Sequence, residues 1–274
     1  MCNEDGTIWI TYNGEIYNFL EVRKDLRKRG HIFQSNTDTE VIVHAYEEWG
    51  VDCVQRFNGM FAFALWDEPR QRLWLVRDRL GIKPLFFACM PHAFFFGSEI
   101  KAILSDYSIE RTIDYESLAY YLALNYTPAP YTLFAHIRQL LPAHYLLVEK
   151  DGTVQDVEYW KLTYHENIDK GEKIHLAEFN ELLYDSVKIR LMSDVPFGAF
   201  LSGGIDSSSV SYWMSQCLSE PVKTFSIGFG EKSFDETGYA RQVANVIKSE
   251  HRQKIIKANA AEILPKIVWH AEEP

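Results

Sequence analysis

The sequence changes rhythm near residue 170, and that change constrains the fold more than any other feature. Between Thr7 and Leu147 the apolar residues come in short runs: TIWITY, FAFALWD, RLWLVRD, PLFFA and AFFFG. Each is aromatic or β-branched and bounded by turn residues, which predicts strands joined largely as antiparallel hairpins. Helical stretches interrupt them. Residues 18–29 place Phe19, Val22 and Leu26 on one stripe and stop before Gly30, and residues 39–49 read the same way. From Ile174 onward, helix and strand alternate: IHLAEFNELLYDSVKIRLM, FGAFL, a helix from Ser207, VKTFSIGF, a helix from Asp235, HRQKIIK and AEILPKIVWHA. Alternation of that kind predicts parallel pairing with right-handed crossovers. An α+β domain over 1–155 followed by an α/β domain over 172–274 is the expected layout. The intervening NYTPAPYTLFAHIRQLLPAHYLLVEKDGTV, with its prolines and Asp-Gly turn, reads as connecting structure.

Composition removes several classes of function. The chain has 274 residues, 47% of them hydrophobic and 14% aromatic, enough to fill the cores of two domains. A net charge of −10 argues against a general nucleic-acid binder. No leader-like segment or membrane-length apolar run is evident. Cys2, Cys53, Cys89 and Cys217 lack metal-ligand or disulfide-like spacing. A cytoplasmic protein with reduced thiols is the simplest expectation.

The segment FLSGGIDSSSV, residues 200–210, carries the strongest local chemistry. A strand runs into Ser202-Gly203-Gly204 and a helix follows. Two glycines let the backbone turn tightly and approach a ligand. The helix then offers unpaired N–H groups and the positive end of its dipole, which suit pyrophosphate. Ser202, Ser207 and Ser208 add hydroxyl donors, and Asp206 beside phosphates makes sense if it holds Mg²⁺. No Walker lysine follows, and the dinucleotide glycine pattern is absent. A plain strand–helix connection capped by Asp206 is the competing reading.

This loop resembles the pyrophosphatase loop of synthetases that adenylate a substrate. RLMSDVPFGAFLSGGIDSSSV is similar to the synthetase domain of glutamine-hydrolysing asparagine synthetases. YNGEIYN (12–18), SNTDTEVI (35–42), FNGMFAFALWD (57–67), RDRLGIKPLFF (77–87) and FGSEIKAIL (97–104) match, in order, the class II amidotransferase domain of the same family. The resemblance implies an N-terminal-nucleophile (Ntn) glutaminase domain followed by a PP-loop domain of the adenine nucleotide alpha-hydrolase-like kind, built on a parallel sheet. It implies ATP-dependent amidation of aspartate through β-aspartyl-AMP. Ammonia would come from glutamine, with AMP and pyrophosphate released and Mg²⁺ assisting ATP. Glutamine, aspartate and ATP would be the small-molecule partners, with neither nucleic acid nor membrane involved; a homodimer is left open.

Residue by residue, the resemblance makes Asn13 and Gly14 the oxyanion hole, a chemistry for which an amide side chain and a backbone N–H are suited. Glu15 and Asp38 would hold the glutamine amino group. Ser202, Gly203, Gly204, Asp206, Ser207 and Ser208 would cradle pyrophosphate and its metal, and Leu201 and Ile227 would contact adenine. Plainer readings stand beside these: Asn13-Gly14 as a turn, Asp38 as a helix cap, Leu201 and Ile227 as buried strand residues. Arg77, Asp78, Arg79 and Lys83 read as a structural charged cluster, solvated or paired at a hairpin.

Cys2 raises the question of the nucleophile. An N-terminal Cys attacks with its own amine as base. The family's Cys is followed by Gly-Ile, whereas Cys2 is followed by the turn sequence Asn-Glu-Asp-Gly. Cys2 is therefore expected to be incidental, Met1 an internal methionine, and the chain a piece of a longer enzyme at both ends. At Glu272 the family has Asp. A related synthetase acting on another carboxylate and a non-catalytic nucleotide-binding relative are the alternatives.

Overall fold

The computed structural model describes residues 1–164, 169–193, 195–229, 236–256 and 260–273. It divides into two compact units, Met1–Tyr164 with Lys266–Pro274, and His165–Pro265.

In the first unit, β1 (Ile8–Ile16) leads through α1 (Phe19–Lys28) and α2 (Asp38–Trp49) into a 3₁₀ segment, Gly50–Arg56. There follow β2 (Gly59–Asp67), β3 (Arg72–Arg77), β4 (Phe86–Met90), β5 (Ala93–Gly97), α3 (Ile100–Ile103), α4 (Tyr115–Leu124), β6 (Arg138–Gln139), β7 (His144–Val148) and β8 (Val154–Glu158). One antiparallel sheet has the order β1-β2-β3-β7-β8, and a second has the order β5-β4-β6.

Side-chain alternation sorts these strands into layers. Phe61, Phe63, Leu65, Trp74 and Val76 join Val22, Leu26, Val41, Ile42 and Ala45 of the helices in one core. The intervening Ala62, Ala64 and Leu75 face the second sheet, against Leu85, Phe87, Phe94 and Phe96. The far side of that sheet, with Phe86, Ala88 and Phe95, packs on Ile100 and Ile103. The result is helix on sheet on sheet on helix.

Residues 125–154 are more than connecting structure. HYLLV is the fourth strand of the larger sheet, pairing β3 on one side and β8 on the other. The Asp151-Gly152 turn closes a hairpin, with Gly152 at φ +86°. The charged cluster also differs from a solvated or paired one. Buried Arg77 donates to the carbonyls of Lys83, Leu140 and Gly81. Buried Asp78 accepts from the N–H groups of Phe61, Leu80, Ile82 and Lys83. Backbone groups, rather than an Arg–Asp pair, satisfy both charges.

The second unit contains α5 (Glu172–Ile189), β9 (Ala199–Phe200), α6 (Ile205–Cys217), β10 (Lys223–Phe229), α7 (Thr237–Ile247) and β11 (Glu250–Ile256); α8 (Ala260–Ala271) follows. β10 pairs in parallel with both β9 and β11. The start expected for the third of these helices, at Asp235, lies outside the described residues. The sequence placed all of 172–274 in one domain, yet 266–274 group with the first unit. Glu272 explains this: its carboxylate accepts from the N–H groups of Ile100 and Lys101, both at 2.7 Å. No helix among the described residues is long and apolar enough to cross a membrane.

Candidate active sites

The first site is built on the outer strand β1. Asn13 and Gly14 do not form a turn; they lie within the strand, paired with Ala62 and Phe61. A Cβ on Gly14 would stand 2.3 Å from the Met60 carbonyl oxygen and 2.6 Å from Phe61 Cα, so only glycine permits this approach. Strand alternation then divides the functional groups. Ile10 and Ile16 turn their N–H groups away from β2, to the Met1 carbonyl and to Asp38 Oδ2. Gly14 has the same parity and turns its N–H to the same edge. The Asn13 side chain lies on the face toward the second sheet, its Nδ2 3.3 Å from Ser98 Oγ. Asn13, Tyr12, Thr11, Ala62, Gly97 and Ser98 are among the residues lining a cavity of about 230 Å³.

Asp38 is not the cap of α2. Thr37 is, its side chain accepting from the Glu40 N–H. Asp38 Oδ2 accepts from the Tyr12 hydroxyl at 2.6 Å and the Ile16 N–H at 2.9 Å. Burial, with the Asp38 carboxylate second, pushes the Tyr12 hydroxyl far above its ordinary pKa, so it remains a donor to Asp38. Tyr12 is the residue that sequence reasoning missed here; its place one residue before Asn13, in alternation with Ile10 and Gly14, was the available signal. Glu15 faces Met60 across the pair. Cys2 forms a bridge with Trp9. That is four residues from Asn13 along β1, roughly 13 Å at the rise of a strand, and Cys2 is not among the residues lining this cavity.

The second site lies at the carboxyl ends of β9 and β10. Gly203 has φ +88°, and a Cβ there would lie 2.5 Å from Tyr239 Cβ and 2.6 Å from the Ala240 nitrogen. The glycine therefore lets the loop close on the start of α7. Gly204 caps α6 and Asp206 lies in its first turn, so Asp206 is not the cap. Ser202 Oγ and Ser207 Oγ are 2.9 Å apart, and Ser202 Oγ also accepts from the Gly204 N–H. Ser208 Oγ is buried without a hydrogen-bond partner among the described residues.

Leu201, Ser202, Ser207 and Ile227 line one cavity of about 310 Å³, together with Phe200, Phe225, Ser226, Glu236 and Thr237. Gly203, Gly204, Asp206 and Ser208 lie on the loop and helix beside it. Leu201 is buried, but Ile227 is half exposed, so only the first behaves as an ordinary core residue. Ser226 was not foreseen. Its hydroxyl donates to the Leu201 carbonyl and ties the loop to β10.

Comparison with known proteins places the chain in a family. Residues 1–160 match the glutamine amidotransferase domain model and residues 178–274 the asparagine synthase model. The chain is 36% identical over 273 residues to asparagine synthetase [glutamine-hydrolyzing] 1 of Bacillus subtilis, covering 99% of this chain and 43% of that protein. It is 38% identical over 272 residues to putative asparagine synthetase [glutamine-hydrolyzing] 2 of Methanocaldococcus jannaschii, covering 97% of this chain and 52% of the relative. The chain thus spans about half the length of these curated relatives. A solved glutamine PRPP amidotransferase from B. subtilis aligns with a TM-score of 0.43 at 15% identity, covering 93% of this chain and 63% of that one. With an amidotransferase match over more than half its length and an asparagine synthase match behind it, the chain belongs to the glutamine amidotransferase family, in the domain order of the glutamine-hydrolysing asparagine synthetases.

Proposed function

We propose that the chain carries the glutamine-binding and ATP-binding machinery of a glutamine-dependent asparagine synthetase, with an Ntn-type first unit and a PP-loop second unit. The observation that carries this reading is the convergence of Ser202, Ser207, Leu201 and Ile227 on one cavity at the carboxyl ends of parallel strands, where α/β sheets bind ligands.

The chemistry follows from the groups present. The start of α6 supplies N–H donors to the phosphates of ATP. Ser202, Ser207 and the hydroxyl of Ser208, which has no partner among the described residues, supply further donors. Asp206 in the first turn offers a hard oxygen ligand, and Mg²⁺ held there with the phosphates would neutralise departing pyrophosphate. Leu201 and Ile227 give adenine an apolar seat. In the first unit, the Gly14 N–H and Asn13 amide would donate to the oxyanion formed when glutamine is hydrolysed. Glu15 and Asp38 would receive its amino group. Tyr12 positions Asp38. Adenylation turns the aspartate carboxylate into an electrophile, and ammonia then displaces AMP.

Aspartate-dependent exchange of labelled pyrophosphate into ATP, measured on the protein isolated from its source, tests the reading. Exchange is expected with aspartate and Mg²⁺, and a drop of at least about 100-fold is expected with Gly203→Ala, whose strained Cβ would push the loop from α7. Exchange supported by another carboxylate but not by aspartate would overturn the substrate assignment. Undiminished exchange in a folded Gly203→Ala protein would overturn the site.

A further inference from the structure

Outside the residues that line either cavity, three metal-ligating side chains converge in the first unit. His31 follows the end of α1. His44 and Glu47 lie one turn apart on α2. His31 Nδ1 is 3.2 Å from His44 Nδ1, His44 Nδ1 is 2.9 Å from Glu47 Oε2, and His31 Nδ1 is 3.8 Å from the same oxygen. A tetrahedral dication with bonds of about 2.0–2.1 Å holds its ligand atoms about 3.3–3.4 Å apart. The observed triangle brackets that spacing.

Hydrogen bonding alone fills the triangle poorly. Two Nδ1 atoms facing each other can share one proton, and the His44 proton must then serve both His31 and Glu47. A cation uses all three lone pairs at once. The reverse sides of the ligands are also furnished. His31 Nε2 lies 3.3 Å from Glu48 Oε2. His44 Nε2 faces Glu40 Oε1 at 3.7 Å and Glu4 Oε1 at 3.8 Å. Glu47 Oε1 accepts from Asn3 Nδ2 at 2.8 Å. Carboxylates behind the imidazoles and a tethered carboxylate ligand are the outer groups that orient metal ligands. The His44 side chain is only 3% exposed, and its ring lies between those of His31 and Phe33. His31 and Glu47 keep partial exposure, which leaves a route in from solvent.

We propose that His31, His44 and Glu47 bind one Zn²⁺, a structural ion joining the end of α1 and the Asn3 turn to α2. Two imidazoles and one carboxylate suit zinc rather than Mg²⁺ or Ca²⁺.

The test uses the tag-free chain, stripped with chelator and titrated with Zn²⁺ against a chromophoric competitor, with Co²⁺ as a spectroscopic probe. One equivalent should bind with a micromolar or lower Kd, raise the melting temperature, and give Co²⁺ the intense visible bands of tetrahedral coordination. His31→Ala and Glu47→Gln alter the two partly exposed ligands, and circular dichroism checks that they fold. Each should weaken binding at least about tenfold and remove the Co²⁺ bands. Absence of saturable uptake would show that a shared proton, not a metal, occupies the triangle. Wild-type affinity in the folded double variant would place the cation elsewhere. Either result overturns the proposal.

Discussion

On β2 of the first unit, Phe61, Phe63 and Leu65 point one way, Ala62 and Ala64 the other, and all five are buried. On β10 of the second unit the pattern is inverted. Thr224 and Ser226 are buried, whereas Phe225, Ile227 and Phe229 are 36%, 50% and 49% exposed. The buried hydroxyls are satisfied: Thr224 Oγ1 lies 2.8 Å from Ser249 Oγ and 3.0 Å from His251 Nδ1, and Ser226 donates to the Leu201 carbonyl. Parallel strands normally have both faces covered. Here hydrogen bonds tie the hydroxyls of one face to the Leu201 carbonyl, to Ser249 and to His251 of β11, and the apolar side chains of the other face are left to line the cavity. Hydrophobicity along a strand therefore marks core in the first unit and the lining of an open cavity in the second.

The largest expected effect would break this contrast if it failed. Phe63 packs edge-on against Trp74, with ring centroids 5.1 Å apart. Phe63→Ala should destabilise the first unit by about 3–5 kcal/mol, and Phe225→Ala the second by less than about 1 kcal/mol. Urea denaturation, with hydrogen exchange assigning each transition to β2 or β10, measures both. Equal losses would mean that β10 is covered in solution.

A second, intermediate effect separates the units by pH. Buried Asp67 accepts from Arg70 Nη1 at 2.7 Å, the Arg70 N–H at 3.0 Å and the Tyr46 hydroxyl at 2.8 Å. Burial works against its charge, but the hydrogen bonds from Arg70 and Tyr46 prevail and hold its pKa below the usual value. Its contribution is therefore present above the unfolded pKa, near 3.8, and is lost as pH falls through the lower folded value. The first unit should lose stability as pH is lowered from about 5 to 3. Asp67→Asn should remove about 1–3 kcal/mol at pH 7 and flatten that acid limb. An acid limb unchanged in the variant would assign it to other carboxylates.

The two units also differ in how far the sequence alone reveals them. The strands around FAFALWD and RLWLVRD were legible because their residue types agree with their burial. HYLLV was not, because nearby prolines and the Asp-Gly turn read as linker when they in fact frame a hairpin. The Ser202–Ser208 loop stood out in the sequence for its paired glycines, and the structure gives each a local reason: Gly203, at φ +88°, lets the loop close on the start of α7, and Gly204 caps α6. Asn13-Gly14 invited a turn reading, and only pairing with β2 shows that the glycine is required by the 2.3 Å approach to the Met60 carbonyl. Tyr12, Ser98 and Ser226 were missed because their roles depend on partners brought in from other elements. His44 and Glu47 are one turn apart on α2, a spacing visible in the sequence, but the third ligand atom comes from His31 only after the chain leaves α1 and returns.

The smallest effect sharpens the comparison most. Leu201 and Ile227 line the same cavity, yet one is core and the other surface. Leu201→Ala should cost about 2–5 kcal/mol of stability, so any loss of ATP binding would be confounded with unfolding. Ile227→Ala should change stability by no more than about 0.5 kcal/mol and still weaken ATP about 3- to 10-fold, on the order of 1 kcal/mol of lost apolar contact. Calorimetric titration with MgATP and, in parallel, with Mg²⁺-pyrophosphate distinguishes the sources. If adenine sits against Ile227, ATP affinity falls and pyrophosphate affinity does not. Equal affinities of wild type and variant for ATP would remove adenine from this face and leave the Ser202–Ser208 loop as a phosphate site whose base lies elsewhere.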